Sequence, residues 1–453
     1  MSKKVMSKLA LFMVLAMLAA VLGACGSGAT STTAAPAASG TTAPAATTAA
    51  GGSGQKTTLT FWHIQTQEKQ KALIDNAMAR FMAENPEYEV KVEAMQNDAF
   101  KTKLAVAMGS NTLPDIFPHW SGGPMIEYIE SGKIADITDY MKKDNYVDKF
   151  MPAGISQATY KDKIWAMPVE NLAVAMVFYN KKVFADNGIE IPTTLTELEA
   201  AADKFKAKGI YPFSLANKTK WTGSMYYMYL VDRFGGPEVF ANAANRQNNG
   251  SFENPVFTQA GAKIQEWVKK GYFNDGFNGL DEDSGQSRAL LYSGKAAMTL
   301  MGSWIVSTIN SENPDFLPNL GVFPFPAVEG GKGDPSNTVG TVGDNFYSVS
   351  SSSASVEGAF KALTYLLDDQ SLKERIADGK IPPVKGVKLE DPMMQAVLDL
   401  ATKAQSNQLW YDQYLKPELG DLHKDTSQEI FGLTKTPEEV NKIMEAKAAE
   451  LAK

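Results

Sequence analysis

The sequence predicts a protein of the α/β class whose main body forms two lobes. From residue 57 onward, segments that alternate apolar and polar residues are followed by segments with the 3.6-residue apolar period of a helix. Such an order of strands and helices is typical of a parallel or mixed sheet covered by helices. The body, about 57 to 453, is nearly 400 residues long, and single hydrophobic cores stop growing below that size. We therefore expect two lobes.

The first 25 residues have the pattern of a bacterial secretion signal. Three lysines (Lys3, Lys4 and Lys8) precede an apolar run over 9–22 that is too short for a membrane-spanning helix. The run ends in Leu22-Gly23-Ala24-Cys25, which resembles the lipobox of bacterial lipoproteins, where the cysteine receives lipid. We expect a signal peptide at 1–24 and lipidation of Cys25. The alternative is an ordinary signal peptide with a chance cysteine.

Cys25 is the only cysteine of the chain, which excludes an intramolecular disulfide and a cysteine-based metal site. Residues 25–56 consist almost entirely of Ala, Thr, Ser, Gly and Pro, a composition that predicts a flexible linker without a core. Removal of the signal peptide takes three lysines and no acidic residue, so the net charge moves from −7 to −10. So acidic a chain is poorly suited to phosphate backbones, and we expect no nucleic-acid partner.

The first part of the body predicts three strands that alternate with two helices. The strands are expected at 58–64, 88–95 and 114–118, and the helices at 67–84 and 98–109. Gly109, at the end of the second helix, is a candidate C-cap. No apolar run in the body approaches membrane-spanning length, which predicts that the body does not cross a membrane.

The remainder of the body continues the alternation and ends in a helix. Strands are expected at 163–170, 173–180, 210–216, 320–328 and 345–350, and helices at 194–209 and 354–369. Thr194 and Glu197 form a capping box at the start of one helix, and Thr436 and Glu439 repeat it at the start of the last. An apolar stripe along this last helix indicates that it packs against a lobe.

Signatures of enzymes are mostly absent from the sequence. The three histidines, His63, His119 and His423, do not have the spacing of a zinc site, and we expect no metal. No phosphate-binding loop, dinucleotide motif or serine-hydrolase elbow is present. Acidic residues are numerous, so a pair of glycosidase carboxylates stays open, although most of these acids are expected on the solvated surface.

The tryptophans are more informative than the acidic residues. Trp120, Trp221, Trp304 and Trp410 lie at the ends of strands or turns, among polar residues. An indole ring in such a loop suits a pyranose, whose apolar face stacks on the ring while its hydroxyls form directional hydrogen bonds. Taken singly, each tryptophan fits a place in the core slightly better than a ligand contact. We expect the other three in the core: Trp62, Trp165 and Trp267.

Four stretches in a fixed order resemble a known family. They are "LPDIF", "IWAMPVE" with "VFYNKKVFADNGIEIPTTLTELEAAADKF", then "GKAAMTLMGSW", and finally "LWYDQYLKPELGDLHKDTSQEIFGLTKTPEEV". In this order the chain, from about 57 to its C-terminus, resembles the extracellular solute-binding proteins of ABC importers. Within them it is similar to the large sugar-binding type related to maltodextrin- and raffinose-binding proteins.

The resemblance implies a two-lobed periplasmic-binding-protein fold of type II, the Venus-flytrap arrangement, with a multi-strand hinge and a central cleft. The chain would cross between lobes near 171, 348 and 388. One lobe would comprise 57–171 and 348–388, and the other 172–347 and 389–453. The usual Asn-Gly or Asp-Gly turn before "IWAMP" is Asp162-Lys163 here, which departs from the family pattern.

The resemblance also implies ten ligand-binding residues around the cleft. They are His63, Gln65, Trp120, Ser121, Glu170, Asn171, Trp221, Trp304, Asp344 and Trp410. Two of them have an equally plausible structural interpretation, since Glu170 could brace the hinge and His63 could be a core histidine.

The function implied is capture of an oligosaccharide outside the cell and delivery to the membrane subunits of an ABC permease. The protein would be a monomer without enzymatic activity or cofactor, anchored through Cys25 to the outer face of the cytoplasmic membrane. The alternatives are a non-sugar solute such as a polyamine or a glycerophosphodiester, a surface glycosidase, and a receptor without a transport role.

Overall fold

A computed structural model of the protein describes residues 56–452. The expected signal peptide (1–24), the lipidation site Cys25 and nearly all of the linker (25–56) lie outside these residues. The strands are β1 (Thr57–His63), β2 (Tyr88–Ala94), β3 (Ile116–His119), β4 (Thr159–Tyr160), β5 (Lys163–Ile164), β6 (Met167–Pro168), β7 (Leu172–Asn180), β8 (Tyr211–Phe213), β9 (Ala296–Gly302), β10 (Leu320–Phe323), β11 (Thr338–Val342), β12 (Phe346–Val349) and β13 (Asn407–Gln408).

Helices surround these strands. They are α1 (Glu68–Glu84), α2 (Asn97–Ser110), α3 (Gly123–Glu130), α4 (Thr138–Lys142), α5 (Pro152–Gln157), α6 (Lys181–Asp186), α7 (Leu195–Ala207), α8 (Trp221–Gly235), α9 (Glu238–Asn245), α10 (Pro255–Lys270), α11 (Gln286–Tyr292), α12 (Ile305–Glu312), α13 (Val356–Tyr365), α14 (Asp369–Ala377), α15 (Pro392–Lys403), α16 (Tyr411–Tyr414), α17 (Pro417–Phe431) and α18 (Pro437–Leu451). Short 3-10 helices lie at Lys143–Lys149, Phe277–Gly279, Glu282–Ser284 and Pro314–Asn319.

The first sheet has the strand order β2-β1-β3-β12-β6. β1 is parallel to β2 and to β3, as the alternation of strands and helices predicts. β12, which comes much later in the chain, closes the sheet by pairing antiparallel with β3 and β6. The sheet is therefore mixed, and its last strands come from distant parts of the sequence.

The second sheet is built around β7 and has the order β13-β11-β7-β9-β8. β10 also pairs with β7, along the half of that strand that β11 leaves free. All of β7 except Tyr179 is buried, which explains its unbroken apolar sequence. The resulting α/β architecture agrees with the predicted class.

Each sheet carries its own hydrophobic core. One buried cluster surrounds the first sheet and the other surrounds the second. Along the chain, membership changes between Val169 and Leu172, between Val342 and Phe346, and again around Ile381 and Val384. Separate cores of this kind underlie a two-lobed fold. The limits of the lobes as moving bodies stay a prediction.

Local signals in the sequence agree with the structure in most places. Both predicted capping boxes are present, at Thr194 and at Thr436. The prediction that Gly109 ends its helix is wrong, because α2 continues one residue further and Asn111 takes the left-handed conformation with φ 57°. The unusual hairpin between β4 and β5 turns at Lys161 and Asp162, both with positive φ, as in a type I′ turn.

Several predicted elements are shorter in the structure than in the sequence pattern: the strand expected at 163–170 is divided into β5 and β6, and the strand expected at 210–216 is reduced to β8. The strand expected at 320–328 ends at Phe323, directly before a proline that cannot donate a hydrogen bond to a neighbouring strand. The helix expected at 354–369 is interrupted, and a new helix begins after Asp368, whose side chain caps the backbone N–H of Ser371. Within 56–452, none of the helices combines the length and apolar character needed to span a membrane.

Candidate functional site

A cavity of about 200 Å³ lies between the two cores. Its lining includes residues from the ends of strands in both sheets, which is where α/β proteins commonly place ligands. Eight of the ten predicted site residues line it: Gln65, Trp120, Glu170, Asn171, Trp221, Trp304, Asp344 and Trp410. The structure thus brings together side chains that are more than 300 residues apart in the sequence.

Three tryptophans form one wall of the cavity. The ring centroids of Trp221 and Trp304 are 6.0 Å apart, and those of Trp304 and Trp410 are 5.9 Å apart. Each of the three tryptophans lies at the N-terminal end of a helix and not in the middle of a helix, where its side chain would form part of one helix face. Gly302 makes this possible for Trp304, because a methyl group on Gly302 would overlap the indole ring. The wall offers apolar ring surface to a ligand.

Trp120 contributes a fourth aromatic ring from the side of the first sheet. It follows β3 directly, and it meets Phe100 in an edge-to-face arrangement with 6.2 Å between the ring centroids. The ammonium of Lys101 lies 4.6 Å from the ring centroid, in the geometry of a cation–π contact. Lys101 lines the cavity and was not among the predicted residues.

Glu170 lies at the floor of the cavity, in a fully occupied ion-pair cluster. One carboxylate oxygen accepts from Tyr347 Oη at 2.9 Å, and the other accepts from Arg375 at 3.0 Å and Lys380 at 2.7 Å. Burial alone would raise the pKa of Glu170, but the two cations hold it well below its usual range. Lys380 also donates to Gln65 at 3.3 Å. These contacts favour the bracing interpretation of Glu170.

Asp344 is the contrasting carboxylate. Among residues 56–452 it has neither an ion pair nor a hydrogen bond to its side chain, and its backbone lies in the left-handed region with φ 47°. Burial, together with the negative charge of Glu170, raises the pKa of Asp344 to about 7. A carboxylate held in this way at a cleft is typical of functional sites.

Four further polar atoms of lining residues are buried without a partner in the described part of the chain. They are Nδ2 of Asn171, Nε1 of Trp221, Oδ1 of Asn345 and Oε1 of Gln413. Buried polar groups are normally hydrogen-bonded, so a cluster of exceptions at a cavity needs an explanation. Two of these atoms are donors and two are acceptors. A ligand rich in hydroxyl groups could satisfy both kinds.

His63 and Ser121 are not brought to the cavity. His63 is fully buried, and its Nδ1 accepts from the backbone N–H of Gln65 at 3.1 Å. Burial lowers the pKa of His63 to about 4, so the imidazole is neutral at ordinary pH. Ser121 is also buried, with an unpartnered hydroxyl. Their predicted ligand contacts stay a prediction that the geometry of the cavity does not favour.

The remaining tryptophans separate into two groups. Trp267 is fully buried, as expected, and its Nε1 donates to Glu199 at 2.8 Å. Trp62 and Trp165 are only partly buried against the first core. Neither of these two lines the cavity.

Several lining residues were missed by the sequence reasoning. They include Lys101, Met225, Glu282, Asp283, Arg288, Met301, Asp412 and Gln413. Polar residues at the start of α2, directly after β2, could have been found from their position at the end of a strand. The methionines carry no such signal, because an apolar residue on a helix or strand normally indicates core.

The fold and the cleft together define a class of protein. A two-lobed α/β chain with separate cores and an aromatic cavity between them is a ligand-binding protein of the periplasmic-binding type. The model of the family described as "Bacterial extracellular solute-binding protein" matches residues 64–373. The chain therefore belongs to the bacterial extracellular solute-binding protein family.

Individual relatives agree with this assignment. A solved structure described under xylan utilization by the thermophilic bacterium Caldanaerobius polysaccharolyticus is 31% identical, with a TM-score of 0.81 over 86% of this chain and 99% of that one. A solved chitin oligosaccharide binding protein is 26% identical, with a TM-score of 0.79 over 88% of this chain and 99% of that one.

Among curated relatives, the multiple sugar-binding protein of Streptococcus mutans is 25% identical over 376 residues, which are 80% of this chain and 83% of that protein. An uncharacterized ABC transporter extracellular-binding protein of Pyrococcus horikoshii is 25% identical over 281 residues. These are 60% of this chain and 62% of the Pyrococcus protein.

Proposed function

We propose that the protein captures an oligosaccharide in the cleft and delivers it to the membrane subunits of an ABC importer. The observation that carries the proposal is the wall formed by Trp221, Trp304 and Trp410 beside polar atoms without partners. Relatives named for binding several sugars and chitin oligosaccharides support it. The alternation of ring faces and polar groups suits a pyranose, which has an apolar face and a polar rim.

Seven of the predicted residues are the proposed ligand contacts: Gln65, Trp120, Asn171, Trp221, Trp304, Asp344 and Trp410. Asp344 would accept hydrogen bonds from sugar hydroxyls, since no other group of the described chain occupies its carboxylate. Glu170 is proposed to hold the hinge through Tyr347, Arg375 and Lys380, which all lie far beyond it in the sequence. The lobes would be 57–171 with 348–388 and 172–347 with 389–453, closing around the sugar.

Binding without turnover is part of the proposal. A glycosidase needs a second carboxylate that is free to act beside the first. The carboxylate whose charge acts most strongly on Asp344 is that of Glu170, and both of its oxygens already accept hydrogen bonds from Tyr347, Arg375 and Lys380. Chromatography of a sugar after long incubation with the protein tests this directly. Appearance of shorter products would favour the glycosidase alternative.

The substrate class is tested by titration with a panel of sugars. Xylotriose, triacetylchitotriose, maltotriose and raffinose are added to the purified protein, and binding is followed by calorimetry and tryptophan fluorescence. At least one of them is expected to bind. If none binds and a polyamine or a glycerophosphodiester does, the sugar assignment is wrong while the family assignment stands.

Trp304→Ala is expected to weaken binding of that sugar by about tenfold or more, because buried aromatic anchors usually dominate such sites. Trp62→Ala is the matched control, since Trp62 is also partly buried but lies outside the cavity. Equal affinity of the Trp304→Ala variant and the wild type would remove Trp304 from the site.

We further propose that the protein acts as a monomer anchored by lipid on Cys25 at the outer face of the cytoplasmic membrane. The lipobox-like Leu22-Gly23-Ala24-Cys25 and the small-residue linker behind it support this anchoring. A single acyl chain binds a membrane only marginally, so two or more chains would be needed for a stable anchor.

A further inference from the structure

The charged side chains that line the cleft carry an excess of negative charge. Eight of the lining residues are charged: Lys101, Glu170, Glu282, Asp283, Arg288, Asp344, Lys380 and Asp412. Five of them are acidic and three are basic. Which of these charges a ligand meets depends on which are already paired within the protein.

Two of the three cations are fully used by the protein itself. Arg288 pairs with Glu282 and donates to both oxygens of Glu312, at 2.7 and 2.9 Å. Lys380 belongs to the Glu170 cluster described above. The lining members of these pairs expose at most 8% of their side chains. Separating such a pair leaves an uncompensated buried charge, so neither cation is available for a ligand.

The unpaired charges of the cleft are mainly acidic. Within residues 56–452, Asp344 and Asp283 form no ion pair, and Asp412 has only Lys424, at 3.9 Å. Of the three cations that line the cleft, only Lys101 forms no ion pair within the described chain. It lies within the electrostatic reach of Asp283 and Asp412. One available cation therefore faces three carboxylates with weak or absent counter-charge.

Asp283 and Asp344, two carboxylates of the cleft, each lie close to other negative charges. The oxygens of Asp98, Asp281 and Asp283 lie within 4.8 Å of each other. Burial and these two neighbours raise the pKa of Asp283, and burial with Glu170 raises that of Asp344. The raised pKa values of Asp283 and Asp344 both mean that additional negative charge beside these residues is unfavourable.

We infer that the cleft selects sugars that carry no negative charge, and that Asp344 sets this selection. The inference rests on the proposed function and adds the charge class of the ligand. Hydroxyl groups of a neutral sugar can donate to Asp344, to Asn345 Oδ1 and to Gln413 Oε1, which are acceptors without protein donors. A sugar carboxylate can donate to none of them, and Lys101, the one available cation of the lining, already lies within the electrostatic reach of Asp283, Asp412 and Asp344.

The test compares a neutral sugar with its acidic counterpart of the same backbone. Xylotriose is paired with xylotriose bearing a 4-O-methylglucuronyl branch, and maltotriose with maltotriose oxidised at one C6. The dissociation constant of each is measured by calorimetry at pH 8 and low salt. Where the neutral sugar of a pair binds, the dissociation constant of its acidic counterpart is expected to be higher by about tenfold or more. Added salt is expected to bring the ratio of the two dissociation constants closer to one.

Asp344→Asn keeps the shape of the side chain and removes its charge, so the ratio of acidic to neutral dissociation constants is expected to fall by about tenfold. The ratio is informative even if the variant binds both sugars less tightly. Asp162→Asn is the matched control, because Asp162 is another aspartate with positive φ but is exposed and lies outside the cavity. Its ratio is expected to equal that of the wild type.

The two proposals fail in different ways. Equal or tighter binding of the acidic sugar by the wild type, or an unchanged ratio in Asp344→Asn, overturns the charge selection while sugar binding stands. Absence of binding by every neutral and acidic sugar overturns the proposed function and the selection with it.

Discussion

At the scale of single residues, Glu170 links distant parts of the chain. Its partners Arg375 and Lys380 follow it by 205 and 210 residues, and its third partner, Tyr347, lies on β12. All four side chains are buried. Tyr347 is held by β12 and Arg375 by α14, while Glu170 and Lys380 lie in loops between elements, so the cluster ties separate parts of the chain together. Glu170 is therefore better placed to support the cleft than to contact a ligand.

Glu170→Ala is expected to lower the free energy of unfolding by about 3–5 kcal/mol, because it leaves two buried cations without a counter-charge. Urea unfolding at pH 7 measures this loss. Glu93→Ala is the control, since the exposed pair of Glu93 with Lys103 is expected to contribute less than about 1 kcal/mol. Equal losses in the two variants would contradict the bracing role.

The effect of Glu170→Ala also depends on pH. The pKa of Glu170 is lower in the folded than in the unfolded protein, so its stabilisation is present above the unfolded pKa, about 4.3. The stabilisation is lost as the pH falls further, towards the lowered pKa of the folded state. The destabilisation caused by the substitution should therefore shrink in strongly acidic solution.

At the scale of elements, the start of α3 touches the chain around α16 across the cleft. Gly122 and Gly123 are packed there so closely that a methyl group on either would overlap a backbone carbonyl oxygen, of Gln413 and of Leu415 respectively. In the first turn of α1, Gln70 Nε2 donates to Ser307 Oγ of α12 at 3.0 Å. The cavity is therefore bounded by contacts between the two cores, one of which requires glycine.

Gly123→Ala is expected to hold the two sides of the cleft apart and to weaken sugar binding by about tenfold or more. Gly123 has no positive φ, so the effect comes from the close approach and not from backbone strain. Small-angle X-ray scattering with saturating sugar measures the opening as a larger radius of gyration than that of the wild type. Gly109→Ala on α2, where an added methyl group meets nothing within 4 Å, is the control. Wild-type scattering and affinity in Gly123→Ala would contradict a closing contact here.

At the scale of the whole molecule, the proposed anchor and the proposed cleft are independent of each other. Cys25 is the first residue of the linker, and the body contains no cysteine. Cys25→Ala is therefore expected to release the protein from the membrane while its sugar affinity stays unchanged. Detergent-phase partitioning and calorimetry measure the two properties separately. Retention of the variant in the detergent phase would contradict lipid anchoring through this residue.

Much of the fold was predictable because its determinants are local. The alternation of β1, the apolar stripe of α1 and the capping boxes at Thr194 and Thr436 are each contained within a few turns of chain. The wrong prediction of where α2 ends has a local cause as well. Either Gly109 or Asn111 can end a helix, and the geometry of one turn decides between them. The place of β12 beside β3 could not be derived, because strand order depends on contacts between distant segments.

The sequence by itself determined the α/β class, the two-lobed body and the loop tryptophans, because periodicity and residue type act over short distances. It also marked Asp344 as a candidate, through a resemblance of motifs. Only the tertiary structure decided that Glu170 is saturated by Arg375 and Lys380 while Asp344 is not. Electrostatic pairing and close backbone approach depend on distances in space, and residues hundreds of positions apart acquire those distances only when the chain folds.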